Sequence, residues 1–247
     1  MPTPFTHLKI TRNLLHDPLV PKAIRDLSQQ YYADFLLGGI VADQRPDGGK
    51  RADTHFYEYT QPMPDNPWRE MFRQNPSLMI PKSPAHKAFL SSYVAHLAAD
   101  EYWSRYMLKP YFADADWGGD IKGRFYQLHL LLITMDERDE KTLPEDTGKH
   151  ILGASPSDWL PFMSDTKICE WRDFIAQQLS EHDSQTLVIF GGRINTSAEK
   201  VRELLDDAGY MQSKLWANVS HEVLATLEEN LYAFAREQLI IYWDEFF

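Results

Sequence analysis

The chain contains a single cysteine, Cys169, among 247 residues. One thiol cannot form an intramolecular disulfide or a cysteine-rich zinc site, and such scarcity is typical of proteins from a reducing compartment. Any bound metal would therefore be held by histidine, aspartate and glutamate side chains.

Long apolar runs are also missing. The first ten residues, MPTPFTHLKI, lack the basic head and the continuous apolar stretch of a secretory signal. No run approaches the roughly 18 apolar residues that a membrane span needs. We therefore expect a cytoplasmic protein with no stable membrane association.

Basic residues are fewer than acidic residues. The chain has 25 Lys and Arg against 36 Asp and Glu, which gives a formal net charge of −11. Such a chain repels phosphate backbones and anionic bilayers on average, so nucleic acid is not an expected partner. A local metal centre can still attract one phosphate.

Apolar residues recur at helical spacing along most of the chain. This pattern predicts helices over residues 4–16, 21–37, 84–108, about 123–136, 197–209 and 219–245. Shorter helical pieces are expected over about 157–181. Only QTLVIF (185–190) is strand-like, and it fits a buried turn equally well. With no βαβ alternation, the sequence predicts an all-α fold.

The segment between the second and third predicted helices is rich in proline and glycine. From residue 39 to about 84 it contains too many breakers for long regular elements, and its aromatic content favours order. We expect a long ordered loop region there. No domain boundary stands out, so residues 1–247 are predicted to form one domain.

The strongest chemical signal is HLAAD at residues 96–100. On a helix, positions i and i+4 share a face, so His96 and Asp100 present an imidazole and a carboxylate side by side, a geometry that zinc can use. An isolated pair of this kind is most often a structural hydrogen bond. Here the pair interrupts an apolar stripe that includes Leu97 and Trp103, where ionisable groups need a partner or a metal.

A second pair consists of Asp43 and His55. A turn-rich loop joins them, and Gly48 and Gly49 allow this loop to fold back on itself. Apolar residues precede Asp43 and follow His55, which would fix both side chains. The simpler alternative is a loop carboxylate and a surface histidine.

Three segments together resemble the zinc-dependent phospholipase C family, and more closely its intracellular bacterial branch than the secreted toxins. They are LLGGIVAD (36–43), DTHF (53–56) and AFLSSYVAHLAADEYW (88–103). The similarity covers roughly residues 1–140, whereas residues 141–247 do not align by eye. The resemblance implies an all-helical metal-binding domain in which one zinc is bound by Asp43, His55, His96 and Asp100.

The resemblance also implies a second metal, bridged by the helical aspartate and bound by a histidine near the amino terminus. His7 is the matching residue, and His16 is the alternative. For the family's third metal, His129 is the best candidate, with Asp136 seven residues later on the same helical face. The family's His-x-x-x-Glu pattern does not follow, so a complete three-metal cluster is not expected.

The resemblance implies a phospholipase C-like, metal-dependent phosphoester hydrolase that uses one to three zinc ions and a metal-activated water. Its expected partner is a small, phosphorylated substrate molecule. Asp43 would contact the metal and handle the proton, while His129, Arg45 or Arg51 would steady the phosphate. Two alternatives stay open: another metal-dependent reaction on the same scaffold, with iron as a suitable metal, or a non-catalytic protein with one structural metal.

Overall fold

The computed structural model of the chain describes residues 2–58, 62–181 and 185–247. Within these ranges the backbone forms α-helices, two short 3₁₀ helices and two π-helical segments, without a β-strand, which confirms the all-α fold. The α-helices are α1 (Pro4–His16), α2 (Lys22–Gln30), α3 (Tyr32–Gly38), α4 (Ala52–His55), α5 (Pro67–Gln74), α6 (Pro84–Trp103), α7 (Ile121–Glu140), α8 (Thr147–Ile151), α9 (Asp165–Glu181), α10 (Thr186–Arg193), α11 (Ala198–Asp206), α12 (Ala208–Met211) and α13 (His221–Phe246).

Helix α6 lies at the centre of the structure. Ser83 caps it by accepting a hydrogen bond from the backbone N–H of His86, and Pro84 occupies its first turn. Sixteen of its twenty residues are buried, as expected for a helix that is covered on all sides. Its polar residues His96 and Asp100 are therefore held in a dry environment, where each needs a partner.

Helices α3 and α6 approach each other very closely. A Cβ atom on Gly38 would lie 2.0 Å from the carbonyl oxygen of Phe89, and one on Gly39 would lie 2.8 Å from the Ser92 hydroxyl, both on α6. Only glycine permits this contact. The close packing brings the Gly39 carbonyl to the side of α6 that carries His96.

Helix α13 covers another side of α6. Trp243 on α13 donates a hydrogen bond of 2.8 Å from its indole N–H to the Ser91 hydroxyl on α6. Trp68 on α5 donates in the same way to Gln238 on α13, at 3.0 Å. Residues of α8 to α13 belong to the same apolar cluster as those of α1 to α3 and α5 to α7. In the part of the chain that the structure describes, no helix is long and apolar enough to cross a membrane.

Four expectations about the elements need correction. The predicted helix 21–37 is interrupted at Tyr31 and forms α2 and α3. The proline-rich region after it contains α4, α5 and the 3₁₀ helices Val41–Asp43 and Pro76–Met79. The helix expected to end before Pro110 continues through it as the π-helical segment Ser104–Ala113. The short pieces expected over 157–181 are mostly one helix, α9.

The fifth correction concerns the strand-like run QTLVIF. Residues Thr186–Arg193 form helix α10, in which Thr186 and Phe190 are buried at i and i+4 while Val188 is 58% exposed. That burial has the period of a helix, not of a strand.

Candidate metal centre

Three helices bring four buried polar side chains together. His7 comes from α1, His55 is the last residue of α4, and His96 and Asp100 lie one turn apart on α6. Each is at most 2% exposed to solvent. Buried polar groups of this kind need strong mutual interactions or a bound ion.

Three ligand-type atoms form a nearly regular triangle. The Nε2 atoms of His55 and His96 are 3.4 Å apart, and the Oδ2 atom of Asp100 lies 3.0 Å from the first and 3.4 Å from the second. With zinc–ligand bonds of 2.0–2.1 Å, the edge of a coordination tetrahedron is about 3.3 Å. These buried His and Asp groups therefore fit a metal ion such as zinc.

The hydrogen bonds on the far sides of both imidazoles set their tautomers. His96 donates from Nδ1 to the carbonyl oxygen of Gly39 at 2.8 Å. His55 Nδ1 lies 3.2 Å from the carbonyl oxygen of Arg51, which can only accept a hydrogen bond. It also lies 3.0 Å from the Thr54 hydroxyl, whose own hydrogen is donated to that same carbonyl oxygen. Nδ1 of His55 therefore carries the ring proton. In the neutral form both rings therefore direct an Nε2 lone pair into the triangle, the orientation of metal-binding histidines.

The other carboxylate oxygen of Asp100 faces a second group. Its Oδ1 atom is 3.3 Å from the Nε2 atom of His7, whose ring stacks on that of His96 with the centroids 3.7 Å apart. Neither nitrogen of His7 has a hydrogen-bond partner among the described residues. Asp100 thus presents one oxygen to the triangle and the other to His7, as a carboxylate that bridges two metals would.

Asp43 stands at the outer edge of the cluster. Its Oδ1 atom is 3.9 Å from His55 Nε2, its side chain is 19% exposed, and its buried Oδ2 atom has no hydrogen-bond partner in the described chain. His7, Asp43 and His96 also place ligand-type atoms within 4.8 Å of one another. His96 Nε2 already belongs to the first triangle, so His7 and Asp43 are the ligands that this group adds for a second ion.

Arg51 brings positive charge to the same place. Its Nη2 atom donates to Asp100 Oδ2 at 3.1 Å and to the Tyr57 hydroxyl at 2.9 Å, and its guanidinium lies over the Tyr57 ring. The side chain is 21% exposed. An arginine held in this way places positive charge beside the adjoining space, where it would attract an anion.

The electrostatics of the cluster prepare it for a cation. Burial, followed by the charge of Arg51, lowers the pKa of His55 to about 4, and burial and His96 lower the pKa of His7. Burial opposes the charged forms of Asp100 and His96, yet their attraction prevails: the pKa of Asp100 is well below its usual range and that of His96 is raised. A metal ion would compete with the proton that His96 gains.

The remaining candidates lie elsewhere. His16 is exposed at the end of α1, so the structure favours His7 over this alternative. His129 belongs to neither group of ligand-type atoms found in the described chain, and its Nδ1 donates to the Phe125 carbonyl oxygen at 2.6 Å. Arg45 is exposed.

A large cavity opens next to the cluster. It has a volume of about 1490 Å³, and Asp43, His55 and Arg51 line one part of it. His129 and Asp136 line it as well, together with apolar side chains of α7, α9 and α10. Asp43 and His55 therefore connect the buried cluster to a space large enough for a small organic molecule.

Sequence reasoning missed two parts of this site. The contact between Arg51 and Asp100 joins residues 49 positions apart, and no local pattern indicates it. The role of Gly39 follows from its close approach to α6, for which the Gly38-Gly39 doublet is the only signal in the sequence. No protein-family model, curated protein or solved structure matches this chain.

Proposed function

We propose that the protein is a zinc-dependent phosphoester hydrolase, similar in its chemistry to the phospholipase C family that its sequence resembles. The observation that supports this most is the triangle of His55, His96 and Asp100 with edges of 3.0–3.4 Å, placed beside a large cavity. Two histidines and a carboxylate suit zinc, and they leave a fourth position for water or substrate.

Two groups of residues would hold metal. His55, His96 and Asp100 Oδ2 would form the first set. His7 and Asp43, with Asp100 Oδ1 3.3 Å from His7 Nε2, would offer ligands for the second. Zinc in such a setting supplies Lewis acidity, which activates water and neutralises phosphate charge. The buried histidines would contribute neutral nitrogen ligands, and Asp100 would contribute negative charge that offsets the charge of the cations.

Asp43 is the residue that would accept the proton from water. It is the one carboxylate of the cluster that lines the cavity, and its Oδ2 atom is without a hydrogen-bond partner in the described chain. Asp100 is enclosed by three histidines and Arg51, so its oxygens are committed to the cluster. A carboxylate within reach of the reacting water is the usual general base.

Arg51 would orient the phosphoryl group. It lines the cavity beside Asp43, and its planar guanidinium suits the paired oxygens of a phosphate. The Asp100 and Tyr57 contacts hold it in place. The substrate would then be a small phosphomonoester or phosphodiester that is met in the cytoplasm, in keeping with the acidic composition.

A single structural metal is the second candidate. The observation that favours it is the burial of His7, His55, His96 and Asp100, each at most 2% exposed. A single ion held only by protein ligands would pin the loop from Asp43 to His55 to α6 without chemistry. Metal stoichiometry separates the two functions. Two or more ions with an open coordination position favour hydrolysis, whereas one fully protein-ligated ion favours a structural role.

The test begins with metal analysis of protein purified without a histidine tag. The metal-loaded protein is then assayed with p-nitrophenyl phosphate and bis(p-nitrophenyl) phosphate, after chelation and after zinc is returned. We expect turnover that disappears with chelator and returns with zinc, in the wild type and in the exposed-histidine control His16→Ala. One bound ion and no turnover across a broad phosphoester screen would favour the structural metal instead.

A further inference from the structure

Helix α9 contacts the short turn that carries Asp43. The indole N–H of Trp171 on α9 donates a hydrogen bond of 2.9 Å to the carbonyl oxygen of Ile40. The same oxygen accepts the backbone N–H of Asp43 at 3.2 Å, at the start of the 3₁₀ turn Val41–Asp43. One carbonyl group therefore connects Trp171 to the residue proposed as the general base.

A second contact holds the other end of this turn. The carbonyl oxygen of Lys167 on α9 accepts a hydrogen bond of 3.3 Å from the side-chain amide of Gln44, the residue after Asp43. Lys167 and Trp171 are four positions apart and lie on one face of α9. The Lys167 ammonium group also lies 3.3 Å from the Asp47 carboxylate, further along the loop. Helix α9 thus holds the chain on both sides of Asp43.

The carboxylate of Asp43 is not fixed by a hydrogen bond of its own within the described chain. Its Oδ2 atom has no partner there, and its Oδ1 atom lies 3.9 Å from His55 Nε2, beyond hydrogen-bond distance. The backbone of the turn therefore determines where this carboxylate lies. Ile40 is fully buried, so loss of a donor to its carbonyl oxygen is costly and weakens the turn.

We propose that Trp171 is a positioning residue, which holds Asp43 where its carboxylate can accept a proton from water. The inference rests on the proposed function, because it concerns the base of that reaction. Trp171 also lines the cavity, but its effect on Asp43 passes through the Ile40 carbonyl. Since the placement of a catalytic group strongly affects rate, α9 contributes to the site although residues 141–247 lack the family resemblance.

Trp171→Phe tests the proposal, because it keeps an aromatic ring on the cavity wall and removes the N–H donor. We expect kcat of the zinc-loaded protein for bis(p-nitrophenyl) phosphate to fall roughly 2–10-fold, as the loss of one hydrogen bond implies. KM and zinc content should stay unchanged. The matched control is Trp117→Phe, at a half-buried tryptophan that packs on Phe112, and it should behave as wild type.

A double variant separates positioning from a general structural effect. In the Asp43→Asn protein, Trp171→Phe should cause no further fall in the residual kcat, because no base remains to be positioned. An equal fall in both backgrounds would overturn the proposal. A raised KM with unchanged kcat would overturn it as well, since Trp171 would then act only as a wall of the cavity.

Amide hydrogen exchange, followed by NMR, tests the same contact without turnover. We expect the Asp43 amide to exchange roughly 10-fold faster in Trp171→Phe than in wild type, and at the wild-type rate in Trp117→Phe. If the wild type hydrolyses no phosphoester, the proposed function fails, and the exchange rates alone decide whether Trp171 holds the turn. Equal rates in wild type and Trp171→Phe would overturn the proposal whatever the activity.

A measurement on the wild type alone decides if Trp171→Phe does not fold. The indole N–H of Trp171 should exchange more slowly than an indole N–H in water, because it is bonded to the buried Ile40 carbonyl. Exchange at the rate of a free indole would overturn the proposal.

Discussion

The Nε2 atoms of His55 and His96 lie 3.4 Å apart, although 41 positions of chain separate the two residues. Each ring is oriented from behind by a backbone carbonyl, that of Arg51 for His55 and that of Gly39 for His96. Two lone pairs so close together repel each other unless a proton or a metal cation lies between them. The backbone therefore enforces a pairing that a cation makes favourable.

Replacing His96 should affect both folding and metal binding. His96→Ala removes the hydrogen bond to Gly39 and leaves the Gly39 carbonyl without its donor in the tight contact between α3 and α6. We expect the free energy of unfolding to fall by about 1–3 kcal/mol. The zinc content should fall as well, because binding to the native state is lost.

Thermal unfolding with and without added zinc measures both effects. The control is His16→Ala, which changes an exposed histidine at the end of α1 and should behave as wild type. A His96→Ala variant with unchanged melting temperature and unchanged zinc content would contradict the account.

Asp43→Asn should separate catalysis from metal binding. The amide oxygen can still face a metal ion, but the amide cannot accept a proton. We expect kcat for bis(p-nitrophenyl) phosphate to fall by roughly 10²–10⁴-fold, with zinc content nearly preserved. Steady-state kinetics and metal analysis of the same preparation provide the comparison, and wild-type turnover in the variant would exclude Asp43 as the base.

Arg51→Met should weaken phosphate binding more than it slows chemistry. Methionine keeps much of the apolar length of arginine but removes the charge beside Asp100. Since hydrogen bonds to charged groups contribute about 1.5–3 kcal/mol, we expect KM to rise roughly 10–100-fold. The matched control is Arg45→Met, at an exposed position that also lines the cavity. Equal effects of the two variants would argue against a specific role for Arg51.

The pH dependence of stability should reveal the buried carboxyl of Asp136. Its pKa is raised from the usual 3.8 to about 7 in the folded protein, mainly by burial. The folded state therefore binds more protons than the unfolded state between these values, and this contribution to stability is lost as the pH rises through about 7. Asp136→Asn should remove that loss.

Urea unfolding of both proteins at pH 5 and pH 8 measures the effect. Relative to Asp136→Asn, the wild type should lose on the order of 2 kcal/mol between the two values. Any fixed structural cost of the substitution cancels in this comparison. Parallel pH profiles for the two proteins would show that the carboxyl titrates normally.

Local periodicity explains which parts of the molecule could be predicted. The spacing of His96 and Asp100 places them on one face of a helix, and the surrounding apolar residues indicate its burial. The positions of His7 and His55 beside this pair depend on how α1 and α4 pack on α6. Only the family resemblance suggested these positions. The contact between Asp136 and Thr186 spans 50 residues, so no local pattern could indicate it.

Two wrong predictions of secondary structure also have local causes. The run from Thr186 to Phe190 contains β-branched residues typical of strands, but its buried positions repeat every four residues once α10 packs on α7. Pro110 was expected to end a helix because it lacks an N–H group. The wider π-helical turns of Ser104–Ala113 accommodate it instead.

The central claim is that His55, His96 and Asp100 bind one metal ion. Crystals of the zinc-loaded protein, measured at the zinc absorption edge, test it most directly. The account predicts an anomalous peak bonded to the Nε2 atoms of both histidines and to Asp100 Oδ2, at about 2.0–2.2 Å from each. A zinc-loaded crystal with no peak among these three atoms, or with zinc bound only elsewhere, would contradict it.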